Sequence, residues 1–335
     1  MEKKNNLQYA EAEVAPPGPV ASPLKRHVVR YWWMYLTIVC VTFLLVALCL
    51  IYVLVPQMAQ LNIDRAYLQF TDIRFIVPTP SSITLTQTVL LYTKTRFTPT
   101  LKPFVASIYA VHNGSYSKVP MTTARFPEVH AIHPVSMTHL TNTFLNFSSD
   151  AEREEVARFA TQVLTQDRVT TALVGRGSLQ LGALPLMTVN YNKTTTFQGL
   201  NGLKGFGVSN VKLDVKAEPG QPNLSGMASF PNPSVLTFDM GNVTFTLSTA
   251  AAGVVGQSYI ENMTIRPGVN IFPIHSVIDS TKIMQSLDPG SDTVQIIIMG
   301  NTAVYHGQSL TYYEKSFAFN KLSLALNVSS VLANS

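Results

Sequence analysis

Cysteine is nearly absent from this 335-residue chain, and the two that occur, Cys40 and Cys49, lie in one long apolar run. The rest of the sequence therefore cannot form an internal disulfide. Small secreted domains usually depend on such cross-links, whereas residues 56–335 are numerous enough to bury a core without them. We interpret both cysteines as small apolar side chains of a membrane helix, with palmitoylation as the alternative.

Charged residues are also scarce, at 13% of the chain against about 25% in soluble proteins. Lysine and arginine total 24 and aspartate and glutamate total 19, but no segment carries a dense basic run. A surface that binds nucleic acid would contain such a run or patch. The sequence therefore predicts no nucleic-acid partner.

Motifs that identify a reaction are missing. The nucleophile elbow G-x-S-x-G does not occur, and Ser178 in GRGSLQ lacks the second glycine. The glycine-rich segment 199–207, GLNGLKGFG, has no Lys-Ser/Thr pair of a phosphate loop, so we interpret it as a flexible linker.

A metal site is the other chemical candidate, because His130, His133 and His139 are close in sequence. Positions three apart on a strand face opposite sides, so His130 and His133 converge only at a bulge or turn. We interpret the three histidines as surface or partly buried residues. The sequence thus predicts a protein that is not an enzyme and holds no cofactor or metal, with a lumenal hydrolase as the least favoured alternative.

A membrane span is the clearest positive feature. At about 1.5 Å per residue, the uncharged residues 34–55 extend about 33 Å, the thickness of a bilayer core. The aromatic residues 31–33 suit the headgroup level, and Pro56 is expected to end the helix. We predict a transmembrane helix over 31–56 that follows a disordered cytosolic tail, residues 1–30.

The orientation of the span follows from its flanks. A cleaved signal peptide is disfavoured, because the apolar run is too long and QMA at 57–59 is a poor cleavage site. Lys25, Arg26 and Arg30 crowd the N-terminal side, which predicts a cytosolic N-terminus. Residues 56–335 are therefore expected to be lumenal or extracellular.

Candidate N-glycosylation sites agree with this topology, because every N-x-Ser/Thr sequence lies after the span. The candidates are Asn113, Asn146, Asn192, Asn223, Asn242, Asn262 and Asn327. Glycans would explain how a domain with few charges stays in solution.

Alternation of apolar and polar residues dominates the chain after Pro56, as in residues 83–91, ITLTQTVLL. Further strands are predicted at 67–77, 104–111, 169–175, 206–217, 243–247, 257–265, 293–300 and 317–328. Turn sequences such as HNGS and RPGVN separate them. This pattern predicts a mainly β protein built as a sandwich rather than as a parallel sheet.

Two helices interrupt the strands. Ser149 and Glu152 form a capping box at the start of the first, in which apolar residues recur at helical spacing as far as Leu164. Glu154 and Glu155 add negative charge near the positive end of this helix. A shorter helix is predicted at 280–287.

An internal repeat relates the two halves. The sequence Pro-x-Pro-Ser occurs at 78–81 and at 231–234, each time before a strand with apolar residues at matching offsets. A helix and then an aliphatic strand ending in glycine follow in both copies. We predict two related β-sandwich units, 60–200 and 201–335, joined at the glycine-rich segment 199–207.

The stretches PNPSVLTFDMGNVTFTL and IENMTIRPGVN resemble a family of fungal single-pass vacuolar membrane proteins akin to the autophagy-termination protein of yeast. More distantly, they resemble the late-embryogenesis-abundant group 2 domain, also called the water-stress and hypersensitive-response domain. The resemblance implies tandem immunoglobulin-like β-sandwiches, no catalysis, a vacuolar membrane location and an apolar groove that holds lipid.

The strand VQIIIMG, residues 294–300, is a candidate for ligand binding. In VQIIIMG the residues Ile296, Ile297 and Ile298 put apolar side chains on both faces, so either both are buried by protein or one lines an apolar groove. We expect a membrane-anchored protein that binds lipid or a lumenal partner. The alternative is a scaffold whose lumenal domain senses conditions while its cytosolic tail recruits protein partners.

Overall fold

The computed structural model describes residues 23–93, 97–287 and 290–333. The chain divides into two compact units, Met1–Val55 and Pro56–Ser335. Residues 1–22 of the predicted cytosolic tail lie outside the described residues, so its predicted disorder stays a prediction.

The described part of the first unit, which begins at Pro23, is helical. Helix α1 covers Pro23–Cys49, and a π-helical turn follows at Leu50–Leu54. Among the residues described, Arg30–Arg65 is the one helical segment long and apolar enough to cross a membrane, and its apolar part has no protein packed around it. Cys40 and Cys49 are both exposed on it and unbonded.

Helix α2 covers Val55–Arg65 and includes Pro56, so the prediction that Pro56 ends the helix is wrong. Proline lacks the amide N–H and its ring clashes with the carbonyl one turn back. The π-helical turn directly before it bonds i to i+5 and is wider, which accommodates the ring.

The second unit is mainly β, as predicted, with a few short helices. Its first-half strands are β1 (Tyr67–Thr79), β2 (Ser82–Tyr92), β3 (Thr100–Leu101), β4 (Phe104–His112), β5 (Ser115–Tyr116), β6 (Thr122–Phe126), β7 (Val129–His130), β8 (Val135–Asn146), β9 (Arg168–Gln180) and β10 (Met187–Gln198). The second-half strands are β11 (Gly207–Leu213), β12 (Leu224–Asn232), β13 (Leu236–Thr249), β14 (Gly253–Ile265), β15 (Gly268–Ile278), β16 (Thr293–Tyr305), β17 (Gln308–Ser309) and β18 (Lys321–Asn327).

In the first half, β9 pairs with β10 on one side and with β4 and β3 on the other, and β4 continues to β6. A second layer consists of β2 between β1 and β8. All of these ladders are antiparallel, and the apolar side chains of the two layers meet in the core.

In the second half, β13 pairs with β14 and β16, and β18 extends this layer beyond β16. The other layer runs from β14 through β15 and β12 to β11. Strands β11 and β18 each pair on one side only among the described residues, so both are edge strands.

The two halves share backbone hydrogen bonds. Strand β1 pairs in parallel with the start of β13, with Ile73 opposite Leu236 and Phe75 opposite Phe238. The sequence pattern does not predict this ladder, because β1 and β13 are far apart along the chain. The division of the second unit at residue 200 stays a prediction.

The two Pro-x-Pro-Ser copies both precede a strand, as predicted, but in different surroundings. The first forms the tight turn between the paired strands β1 and β2, where Thr79 lies opposite Ser82. The second connects β12 to β13 through Asn232, whose buried side chain binds the backbone of Ser234 and Leu236. The shared sequence therefore marks strand starts without fixing one turn geometry.

Among the described residues after β1, the second unit has the α-helices α3 (Asp150–Thr165), α4 (Ser280–Gln285), α5 (Thr311–Phe319) and α6 (Val328–Ala333). The predicted capping box is confirmed: Glu152 N donates to Ser149 Oγ at 3.2 Å, and Ser149 N donates to Glu152 Oε2 at 3.0 Å. Helix α4 confirms the second prediction, two residues shorter.

The strand predicted at 317–328 is wrong over its first residues, which belong to α5. Aromatic side chains favour strands locally, but Tyr312, Tyr313 and Phe317 are buried on one side of α5, which packs against α3 and β16. Tertiary packing decides the conformation here.

The glycine-rich segment 199–207 is packed against α3, so its interpretation as a flexible linker is wrong. Gly199 N donates to Asp167 O at 2.8 Å and Leu200 N donates to Val163 O at 2.7 Å. A Cβ on Gly199 would lie 2.3 Å from Gln166 O, so this position requires glycine. Leu200 and Leu203 are buried and tie the segment to the core.

Candidate functional site

An apolar cavity of about 50 Å³ lies between the two layers of the second half. Its wall is formed by Phe206, Val208, Val211, Leu224, Ala228, Phe230, Phe245, Leu247, Ser258, Ile260, Ile274, Ser276, Ile278, Ile283, Ile296, Ile298, Leu322, Leu324 and Leu326. Strands from both layers contribute, because every second residue of a strand points into the gap between the layers. Helix α4 contributes Ile283.

The cavity offers almost no polar group to a ligand. The two polar side chains in its wall, Ser258 and Ser276, are buried and bind each other, with 3.0 Å between their hydroxyl oxygens. An apolar cavity of this kind stays dry and favours hydrocarbon, because a water inside it would lose its hydrogen bonds.

The predicted isoleucines divide between the two faces of β16. Ile296 and Ile298 are buried and line the cavity, whereas Ile297 is half-buried on the opposite face. The sequence indicated apolar side chains on both faces of the strand. It could not indicate which face meets a gap, because the gap depends on the separation of two layers whose strands are far apart in sequence.

The cavity approaches solvent between the two edge strands. Most of the half-buried wall residues lie on β11 (Val208 and Val211) and on β18 (Leu324 and Leu326). These strands are not hydrogen-bonded to each other. Strand β11 also has an irregular register between Ser209 and Lys212, which loosens its ladder.

Helix α6 lies over one end of this gap. It follows β18 directly and packs on β11 and β16, with Val328 and Val331 buried beneath it. Asn327 Oδ1 accepts a hydrogen bond from Ser330 N at 2.8 Å and so caps the first turn.

Two buried tyrosines lie outside the cavity. The hydroxyls of Tyr312 and Tyr313 are buried without a hydrogen-bond partner, beside the contact between α3 and α5. Burial raises the pKa of both tyrosines, and raises the pKa of Tyr191 to about 12. All three phenols therefore stay protonated at neutral pH and cannot act as bases.

The three histidines of the sequence prediction have separate partners. The Nδ1 atoms of His130 and His139 lie 2.9 Å and 3.1 Å from the hydroxyls of Thr100 and Thr88. His133 Nδ1 lies 3.0 Å from the carbonyl oxygen of Thr93. Within the described residues no group of three metal-ligating side chains comes together.

The candidate glycosylation sites differ in accessibility. Six are exposed: Asn113, Asn146, Asn192, Asn242, Asn262 and Asn327. The seventh, Asn223, is half-buried, and its amide donates to Ile278 O and accepts from Ile278 N, both at 2.8 Å. A glycan on Asn223 would break this pair of bonds.

The fold and the cavity define a mainly β protein with an N-terminal apolar helix and a hydrocarbon-lined gap. Residues 119–247 are similar to a family described as Protein of unknown function (DUF3712), and this segment crosses the predicted boundary at residue 200. No curated protein matches the chain.

Several solved structures are distantly similar. A protein from Archaeoglobus fulgidus matches with 13% identity and a TM-score of 0.22, over 40% of this chain and 94% of its own. Red sea bream transglutaminase matches with 13% identity and a TM-score of 0.25, over 77% of this chain but only 30% of its own length. A bacterial adhesin from Mobiluncus mulieris matches with 10% identity and a TM-score of 0.19, over 70% of this chain and 78% of its own.

Proposed function

We propose that this protein is a non-enzymatic, single-pass membrane protein whose β-domain holds the hydrocarbon chain of a lipid. The observation that carries the proposal is the cavity between the layers of the second half, whose wall is hydrocarbon apart from one self-satisfied serine pair. A wall of this composition selects against polar ligands, because they would lose their hydrogen bonds to water on entering.

The size of the cavity restricts the ligand. Pockets for whole small molecules usually measure roughly 300–1,000 Å³, so a cavity of about 50 Å³ accepts only part of a lipid without expansion. Only the end of one acyl chain, entering between β11 and β18, fits this limit, with the rest of the lipid left outside. Because these strands are not bonded to each other, they can separate to admit more of the chain.

The proposed topology places the N-terminus in the cytosol and the β-domain in the lumen, as a glycoprotein of the vacuolar membrane. The helix over Arg30–Arg65 supports the anchor. The basic flank supports the orientation, and the resemblance to fungal vacuolar proteins supports the location.

Lipid recovery tests the function. Residues 56–335 form one compact unit. This unit would be purified without detergent, and its lipids would be extracted and analysed by mass spectrometry. We expect a defined lipid class above the background of an unrelated β-sandwich carried through the same purification. Recovery equal to that background would reject lipid binding.

A further inference from the structure

The Gln60 side chain of helix α2 forms two hydrogen bonds with the backbone of the edge strand β10, as a neighbouring strand would. Gln60 Nε2 donates to Asn190 O at 2.9 Å, and Gln60 Oε1 accepts from Asn190 N at 2.9 Å. The amide thus satisfies both backbone groups that an edge residue leaves unpaired. A second contact lies further along both elements, where Lys193 Nζ donates to Asp64 O and to Ala66 O.

These two contacts set the direction of the helix. From Asn190 to Lys193 the strand advances about 10 Å, and from Gln60 to the Asp64–Ala66 carbonyls the helix advances about 6–9 Å. The lengths agree only if α2 and β10 run the same way. The Pro56 end of α2 therefore points toward the start of β10 and the turn that precedes it.

That turn, residues 181–186, has the sequence LGALPL and carries no charge. Leu186 lies about 13 Å beyond Asn190 along an extended chain, whereas Pro56 lies about 6 Å beyond Gln60 along a helix. The turn thus projects past the level of Pro56, the residue that follows the apolar run in the sequence.

Two other loops end on the same side of the domain. In the small ladder of β9, β3 and β7, Thr100 lies opposite both Gln180 and His130. Because β3 is antiparallel to both neighbours, the residues before Thr100 and those after Gln180 and His130 leave in one direction. The loops carry large exposed apolar side chains: Leu186 at 61%, Ile132 at 54% and Phe97 at 61%.

We propose that this apolar tip, defined as Phe97, Ile132 and Leu186, inserts into the interface of the lipid bilayer from which the chain emerges. The proposal rests on the proposed membrane anchor. The bilayer is the occupant because the tip lies at the same end of the β-unit as Pro56, the residue that follows the apolar run in the sequence. Insertion of about 5–10 Å places such side chains at the boundary between headgroups and acyl chains.

The polar residues beside the tip suit the headgroup layer. Lys102 Nζ lies 3.2 Å from Glu128 Oε2, and His130 Nε2 lies 3.4 Å from Glu128 Oε1. These side chains come one to three residues before or after the tip loops. A polar rim around a few apolar side chains is the arrangement of interfacial membrane contacts.

The test uses the full chain and measures how deeply the tip side chains lie in the membrane. Cys40→Ser and Cys49→Ser remove the native thiols, and Leu186→Cys or Ile132→Cys then carries an environment-sensitive fluorophore. The matched control is Val269→Cys, because Val269 is 69% exposed near the start of β15 in the second half. Each protein is reconstituted into phosphatidylcholine vesicles that contain spin-labelled lipid.

We expect the spin-labelled lipid to reduce fluorescence at positions 186 and 132 but not at position 269. If spin-labelled lipid changed the fluorescence equally at all three positions in vesicle-bound protein, the tip contact would be overturned and the anchor would stay intact. Protection from an aqueous quencher without quenching by lipid would indicate a contact with a second copy and would also overturn it. Failure of the full chain to float with vesicles would instead reject the proposed anchor.

Discussion

Phe75 and Phe238 stack with nearly parallel rings across the parallel ladder that joins the two halves of the β-unit. Their ring centroids are 5.4 Å apart and their planes differ by 8°. The two residues are also direct register partners in β1 and β13. One pair of side chains thus lies where the backbone of the first half meets that of the second.

Truncating one ring of this pair should destabilise both halves together. We expect Phe238→Ala to lower the free energy of unfolding of residues 56–335 by about 3–5 kcal/mol, since it removes a buried ring and its stack. Hydrogen exchange followed by mass spectrometry should show earlier exchange in both halves. The control is Phe319→Ala, at a side chain that is 74% exposed, with an effect of at most about 0.5 kcal/mol. Earlier exchange in the second half alone would show that the halves unfold independently.

The capping box of α3 predicts a pH dependence. Hydrogen bonding from Ser149 N, followed by smaller contributions from the Ser149 hydroxyl and from Arg153, lowers the pKa of Glu152. A lowered pKa means that the folded state favours the carboxylate, so the stabilisation is present above the ordinary glutamate pKa and is lost as pH falls through the folded value. We expect Glu152→Gln to cost about 0.3–1 kcal/mol at pH 7.

Urea unfolding at a series of pH values checks this prediction. The difference between the native protein and Glu152→Gln should narrow as the solution is acidified and should vanish when both side chains are neutral. Glu261→Gln, at an exposed position on β14, provides the control. A difference that stayed constant down to low pH would show that the charge of Glu152 has no part in the cap.

The ion pair between α3 and α5 is predicted to contribute little. Lys315 Nζ lies 2.6 Å from Glu154 Oε2 and lowers the pKa of that carboxyl, but the two side chains are 57% and 45% exposed. Solvent screens such a pair, so Lys315→Met should change the free energy of unfolding by less than about 1 kcal/mol. The effect should shrink further in 1 M salt, where the screening length is about 3 Å. A loss of several kcal/mol in the urea titration would mean that the pair locks the two helices together.

Glycosylation should distinguish the candidate sites. Asn113 lies exposed at the turn between β4 and β5, whereas both ends of the Asn223 amide are bound to Ile278. Asn113→Gln should therefore increase the gel mobility of the protein made in cells, and Asn223→Gln should leave it unchanged. Asn223→Gln should also lower stability by about 1–3 kcal/mol, because the amide and carbonyl of Ile278 lose their partners. A mobility change for Asn223→Gln would show that this site carries a glycan.

Local pattern predicted local structure well. Alternating residues in ITLTQTVLL and the Ser149 cap each depend on neighbours within a few positions, and both predictions are confirmed. The prediction that Pro56 ends the helix is wrong because the π-helical turn that accommodates its ring has no sequence signature. The strand predicted at 317–328 was wrong at its start, since packing against α3, far away in sequence, favours the helix α5.

The candidate site was predictable only in part. Three consecutive isoleucines marked β16 as apolar on both faces, but the cavity also needs β11 and β18 to remain unpaired edges. That arrangement depends on the order of strands in two layers, which periodicity does not encode. The parallel contact of β1 with β13 escaped prediction for the same reason.

Filling the cavity tests lipid binding most directly. Ile298→Phe would place a larger side chain in the cavity, whereas Ile297→Phe makes the same change on the opposite face of β16. Both variants of residues 56–335 would be purified alongside the native domain, checked for equal unfolding midpoints and analysed for bound lipid. We predict loss of lipid from Ile298→Phe and native lipid content in Ile297→Phe. Equal lipid content in the two variants would contradict binding inside the β-domain.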